Sequence, residues 1–96
     1  MTPDEIIDET AHHFGLERAE VVGPSRRAPI VLGRHVAMFA IRERTTASLC
    51  DIGRLMNRDH KSVLHGVRKV RELLKCSDRR VQDALVSIDR AATRTA

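Results

Sequence analysis

Val63, Val67, Val70 and Leu74 recur at three- and four-residue steps, with Leu64 and Leu73 beside them. That spacing gathers them on one side of a helix, whereas a strand would send alternate side chains to opposite faces. The stripe begins abruptly, because the five residues before it, Arg58-Asp59-His60-Lys61-Ser62, contain nothing apolar. A 96-residue chain can build only one small core, so the stripe is needed inside rather than as a dimer seam. The helix expected from about Arg58 to Lys75 therefore has a buried body and a free polar tip.

The remaining segments are also helical in pattern. Thr2-Pro3-Asp4-Glu5 reads as a capping box with proline at the first helical position, and Ile6, Ile7, Ala11 and Phe14 follow at helical spacing. Gly15 can end that helix, and Leu16 to Val22 can hold a short second one through Ala19, Val21 and Val22. Gly23 to Pro29 reads as a loop bracketed by two prolines with Arg26 and Arg27 at its centre. A third helix is expected over Ile30–Arg44, its apolar face formed by Val36, Ala37, Ala40 and Ile41. Ser48 with Asp51 can cap a short helix through Leu49, Ile52 and Leu55, and Met56-Asn57 is a tight turn. Ser77 with Asp78 caps a last helix buried through Val81, Leu85 and Ile88, and residues 93–96 read as a frayed tail. The expectation is a single all-α domain over residues 1–92, a compact bundle of five or six helices.

The charges are segregated along this chain. Residues 1–24 hold six acids against one arginine, whereas residues 25–75 hold twelve lysines or arginines against four acids. A basic middle behind an acidic start suits a molecule with one face for a polyanion. Two Phe, no Trp and no Tyr leave few rings for base stacking, which argues against a single-strand or RNA module. Nothing resembles a signal peptide and no apolar run reaches membrane-spanning length, so Cys50 and Cys76 are expected as reduced thiols in a cytoplasmic, nucleoid-associated protein.

A short helix containing Gly53, a tight turn and a longer helix form the layout of a helix-turn-helix. In that motif the second helix enters the major groove of duplex DNA and offers its first turn to base edges. Other chemistries fit less well. His60 and His65, five residues apart, diverge by about 140° on a helix and share a metal poorly, even with Cys50 and Cys76 in view. Asp59 beside His60 has no accompanying nucleophile, so the chain is expected to be a binding module, not an enzyme, with no cofactor, metal or small-molecule substrate. Asp59 also suits an N-cap, a role compatible with base contact.

At these residues the chain resembles a known family. Ser48-Leu49 with Ile52-Gly53, followed by Arg58-Asp59-His60-Lys61-Ser62-Val63-Leu64-His65-Gly66, is similar to the signature of the C-terminal DNA-binding domain of the bacterial replication initiator DnaA. Arg34-His35-Val36-Ala37-Met38 resembles the Arg-Gln-Ile-Ala-Met segment of that family, and Arg26-Arg27 falls where it carries a basic loop. The likeness extends from about Ile6 to Ile88. It implies a Trp-repressor-like helix-turn-helix fold and sequence-specific binding of double-stranded DNA. Carried over by position, Asp59, His60, Lys61 and Ser62 would read the major groove, flanked by Arg58 and His65. Arg26 or Arg27 would enter the minor groove, while Arg34, His35, Ser48 and Lys69 would follow the phosphates.

Three departures from the family pattern matter. The turn before Arg58 is one residue shorter than the usual Gly-Gly form. Lys61 replaces a threonine whose methyl meets thymine, and a lysine prefers guanine O6/N7 or a phosphate. No Walker A pattern occurs in the chain, so the expected role is not that of the initiator itself. The resemblance extends to phage-type regulators and the activators of gene transfer agent clusters. It implies a transcription regulator, an activator working with a second protein that contacts RNA polymerase. The alternative is replication control, with the domain occupying initiator sites in competition with full-length DnaA.

Overall fold

The computed structural model describes residues 1–95, and among them six helices and no strand form. They are α1 (Pro3–Phe14), α2 (Arg18–Val22), α3 (Ala28–Arg44), α4 (Leu49–Met56), α5 (His60–Lys75) and α6 (Arg79–Thr95). The all-α bundle expected from the sequence is the fold observed.

Most helices start where side chains replace the missing backbone partners; α3 instead opens with Pro29 in its first turn and no side-chain cap. Thr2 and Glu5 close the capping box of α1, Ser48 and Asp51 that of α4, and Asp59 accepts the Ser62 N–H at the head of α5. At α2 the Glu20 carboxylate accepts the Glu17 N–H at 2.9 Å, a contact not foreseen because glutamate is an unusual residue at a helix start. Gly15 ends α1 in the left-handed region, as expected. Ser77 differs from its expected role: it takes a φ of 56° to end α5, and Asp78 alone accepts from Val81 to start α6.

Two boundaries also differ. The third helix begins at Ala28, so Pro29 lies within its first turn, where a missing N–H has no helical partner to lose. The last helix runs through Thr95, so residues 93–95 extend it rather than fray, and Ala96 lies outside the described residues. Its final turns are held by the Thr93 hydroxyl donating to the Asp89 carbonyl, 3.1 Å, and by Arg94 beside Glu9.

The central element is α3, which packs against all five other helices. Val36 to Ile41 are all buried, so the helix is apolar around its circumference rather than along the single face its pattern suggested. Around it lie Ile6, Ile7 and Ala11 of α1, Ile52 and Met56 of α4, Val63, Val67 and Val70 of α5, and Val81, Ala84 and Ile88 of α6. Leu74 is only partly buried at the rim, and Ala19 is exposed. Gly66 lets α5 approach α3 closely, since a Cβ there would stand 2.7 Å from the Met38 sulfur and 2.9 Å from the His35 ring.

Candidate nucleic-acid interface

The turn between α4 and α5 is built on Gly53. Its carbonyl accepts from both Asn57 and Arg58, and a Cβ on it would lie 2.4 Å from the Arg58 carbonyl oxygen. Only a residue without a side chain allows that approach. Asn57 supplies the left-handed step, φ 55°, which asparagine tolerates better than most residues. The chain then re-enters a helix at His60, two residues later than expected, because Asp59 takes the N-cap and leaves Arg58 in the turn.

This geometry sets the polar tip outward. Asp59, His60, Lys61 and Ser62 are all exposed on or before the first turn of α5, and the core begins at Val63. The Asp59 carboxylate accepts the Ser62 N–H at 2.7 Å, which holds it below the ordinary aspartate range, with the Ser62 hydroxyl and the charges of His60 and Lys61 acting in the same direction. One carboxylate oxygen is therefore fixed as a cap while the residue remains at the surface.

Asp59, Lys61, Ser62 and His65 share one open depression of about 380 Å³ with Arg34, His35, Met38 and Arg58. His60 belongs to the same turn but lies outside that depression. The His35 and His65 rings meet edge to face with centroids 5.8 Å apart. Burial pushes the His35 imidazole down to about 4, helped by the positive neighbours His65, Arg34, Lys69 and Arg58.

A second depression adjoins the first through His35 and is lined by Arg26, Ala28, Val31, Leu32, Lys69, Leu73 and Arg80. It brings the loop arginine Arg26 and the α5 lysine Lys69 together across 43 residues of sequence. Arg80 also reaches this rim, although no local motif distinguishes it, and it is tied to Asp78 at 2.8 Å. Arg27 is exposed on the loop, with its backbone N–H donating to the Ser25 hydroxyl at 3.3 Å. Ser48 is exposed at the head of α4, where its oxygen accepts from Asp51.

Arg34 and Arg58 direct their guanidinium groups onto backbone carbonyls. Arg34 is 5 % exposed, and its guanidinium donates to the carbonyls of Glu20, Val21, Gly23 and Ser25 at 2.7–3.1 Å. Four of its five N–H groups are thus engaged inside the protein, although the side chain still lines the depression beside Lys61 and Ser62. Arg58 is half-buried and donates to the Met56, Asn57 and Gly23 carbonyls. Neither guanidinium meets a carboxylate among the described residues. No helix of the described residues is long and apolar enough to cross a membrane.

Comparison with known proteins agrees with this architecture. The family model described as the bacterial DnaA protein helix-turn-helix matches residues 3–70. The chromosomal replication initiator protein DnaA of Thermus thermophilus is 47 % identical over 92 residues, 95 % of this chain and 21 % of that protein. Its namesake in Thermomicrobium roseum is 45 % identical over 86 residues, covering 88 % and 18 % respectively. That of Cereibacter sphaeroides is 36 % identical over 84 residues, covering 86 % and 18 %. The chain thus spans about a fifth of the length of these relatives. With more than two thirds of its residues inside the matched model and a helix-turn-helix at the matched position, the chain belongs to the bacterial DnaA helix-turn-helix family.

Proposed function

We propose that this chain binds duplex DNA at specific sequences, with the first turn of α5 in the major groove and the Ser25–Arg27 loop against an adjacent groove or phosphate track. The observation that carries this is the exposed, wholly polar run from Asp59 to Ser62, set ahead of a buried stripe and beside cations without carboxylate partners. Asp59, His60, Lys61 and Ser62 are the proposed base readers, with His65 flanking them. Arg26, Arg27 and Lys69 supply the phosphate or minor-groove contacts, and Ser48 has a hydroxyl hydrogen left to donate.

The role we assign is transcription regulation, in which the bound domain marks a promoter site for a second protein. Lys61 favours a site of its own, because an ammonium at that position selects guanine over the thymine methyl. A second reading, occupancy of initiator sites in competition with DnaA, is favoured by the relatives, which are chromosomal replication initiator proteins.

Selection from a random duplex pool tests both. His60→Ala should erase most sequence preference while leaving salt-sensitive background binding, at roughly 1–3 kcal/mol for each base no longer read. An unchanged selected sequence in that variant would remove α5 as the reading helix. Recovery of a standard DnaA box by the wild-type chain would favour replication control over a separate operator.

A further inference from the structure

Two guanidinium groups from different elements converge on one backbone oxygen. Arg34 of α3 donates to the Gly23 carbonyl at 2.7 Å, and Arg58 of the helix-turn-helix turn donates to the same oxygen at 2.5 Å. Gly23 begins the segment that leads to Arg26 and Arg27, and Arg58 immediately precedes the cap of the proposed reading helix. Arg34 fastens the loop side through the carbonyls of Glu20, Val21 and Ser25. Arg58 fastens the turn side through Met56 and Asn57, 3.3 and 3.2 Å away.

We infer that Arg58, braced by Arg34, is a positioning residue: a strut that sets the Ser25–Arg27 loop at a fixed distance from the first turn of α5, rather than a group that touches DNA. The inference rests on the DNA-binding reading above and deepens it. Two binding elements far apart in sequence must present their cations at one spacing to engage a rigid duplex together. A loop held in place before docking loses less freedom when it docks. The forked guanidinium suits the task because it reaches three carbonyls in different directions, which a compact ammonium cannot do. Two like charges tolerate this closeness only because each is satisfied by carbonyl oxygens, and no buried side-chain polar atom among the described residues lacks a partner.

The test uses the full chain, a duplex selected from a random pool by the wild-type protein, and hydrogen exchange without DNA. Arg58→Lys keeps the charge and removes the fork, and Arg58→Ala removes both. Either variant should speed exchange of the Arg27 amide, which donates to the Ser25 hydroxyl, about tenfold and leave Val63, Val67 and Val70 unchanged. Each should also weaken binding of the selected duplex about tenfold in the wild-type background. In an Arg26→Ala/Arg27→Ala background the same changes should alter affinity by less than about twofold, since a strut has nothing left to position. A direct DNA contact predicts the opposite pattern. Arg58→Lys would then bind nearly as the wild type does, or the Arg58 and loop effects would add independently, and either result overturns the strut. Should the loop variant itself bind as the wild type does, the loop is not a DNA element. The functional reading fails there, and unchanged loop exchange in Arg58→Lys would remove the strut as well.

Discussion

The end of the bundle where α1 meets α2 and α6 and the face where the Ser25–Arg27 loop meets α5 treat positive charge in opposite ways. At the first, Arg18 bridges Asp4 and Asp8, Arg94 sits beside Glu9, and Arg44 of α3 is held by Asp89 of α6. At the second, Arg80 is paired with Asp78, but Arg26, Arg27, Lys61 and Lys69 have no ion pair among the described residues, and Arg34 and Arg58 rest on carbonyls alone. Exposed pairs of the first kind contribute little to stability, typically about 0–1 kcal/mol. Their effect is to cancel the local field at that end. On the other face the field is left standing, which is what a partner carrying regularly spaced negative charge requires.

The contrast breaks most completely at the turn. Gly53→Val should destabilise the chain by about 3 kcal/mol or abolish folding, because the new side chain drives the Arg58 carbonyl away from α4. Denaturant unfolding followed by circular dichroism measures this, and a midpoint near that of the wild type would contradict the close approach described. Gly66→Ala should cost less, since the atoms it meets belong to the Met38 and His35 side chains rather than to backbone.

A smaller effect tests the uncompensated face. Replacing both Arg26 and Arg27 with alanine should reduce the slope of log affinity against log salt by about 2, close to one for each phosphate no longer neutralised, with unfolding unchanged. An unaltered slope would make that loop an ordinary solvated one.

His35 sharpens the comparison through pH. Its imidazole titrates near 4 in the fold against an ordinary 6.5, so between these values the unfolded chain binds the extra proton. Stability contributed by the neutral ring is present above about pH 6.5 and is lost as pH falls toward 4. The loss should be on the order of 1 kcal/mol, allowing for screening of a half-exposed group. His35→Gln should flatten the stability profile across that window. A profile equally steep in the variant would assign the loss to other groups.

The smallest change is expected at the paired end. Arg18→Ala, which removes the bridge to Asp4 and Asp8, should shift stability by about 0.5 kcal/mol or less and leave duplex binding within about twofold. A large loss of binding there would dissolve the distinction between the two regions.

The parts of this molecule that local chemistry determines were legible in the chain. Thr2 with Glu5, Ser48 with Asp51, and the Val63–Val67–Val70 stripe each announce their helix through contacts three or four residues away. The polar tip of α5 was legible for the same reason. The fate of Arg34 and Arg58 was not, because their partners lie 9–14 and up to 35 residues away and arginine ordinarily stays at the surface. The lowered titration of His35 comes first from its burial and then from the charges of His65, Arg34, Lys69 and Arg58, and was equally hidden. Pro29 misled in another way: a proline that closes a loop and one that opens a helix look alike until the following turn is placed.

The abrupt boundary between Ser62 and Val63 has an evolutionary consequence. The side chains from His60 to Ser62 stay at the surface, and the bundle closes one position later on Val63. Exchanging those three residues therefore leaves the packing that holds the fold intact. On the proposed reading, this domain can drift from one operator to another without passing through an unstable ancestor, its scaffold inherited whole while its vocabulary changes.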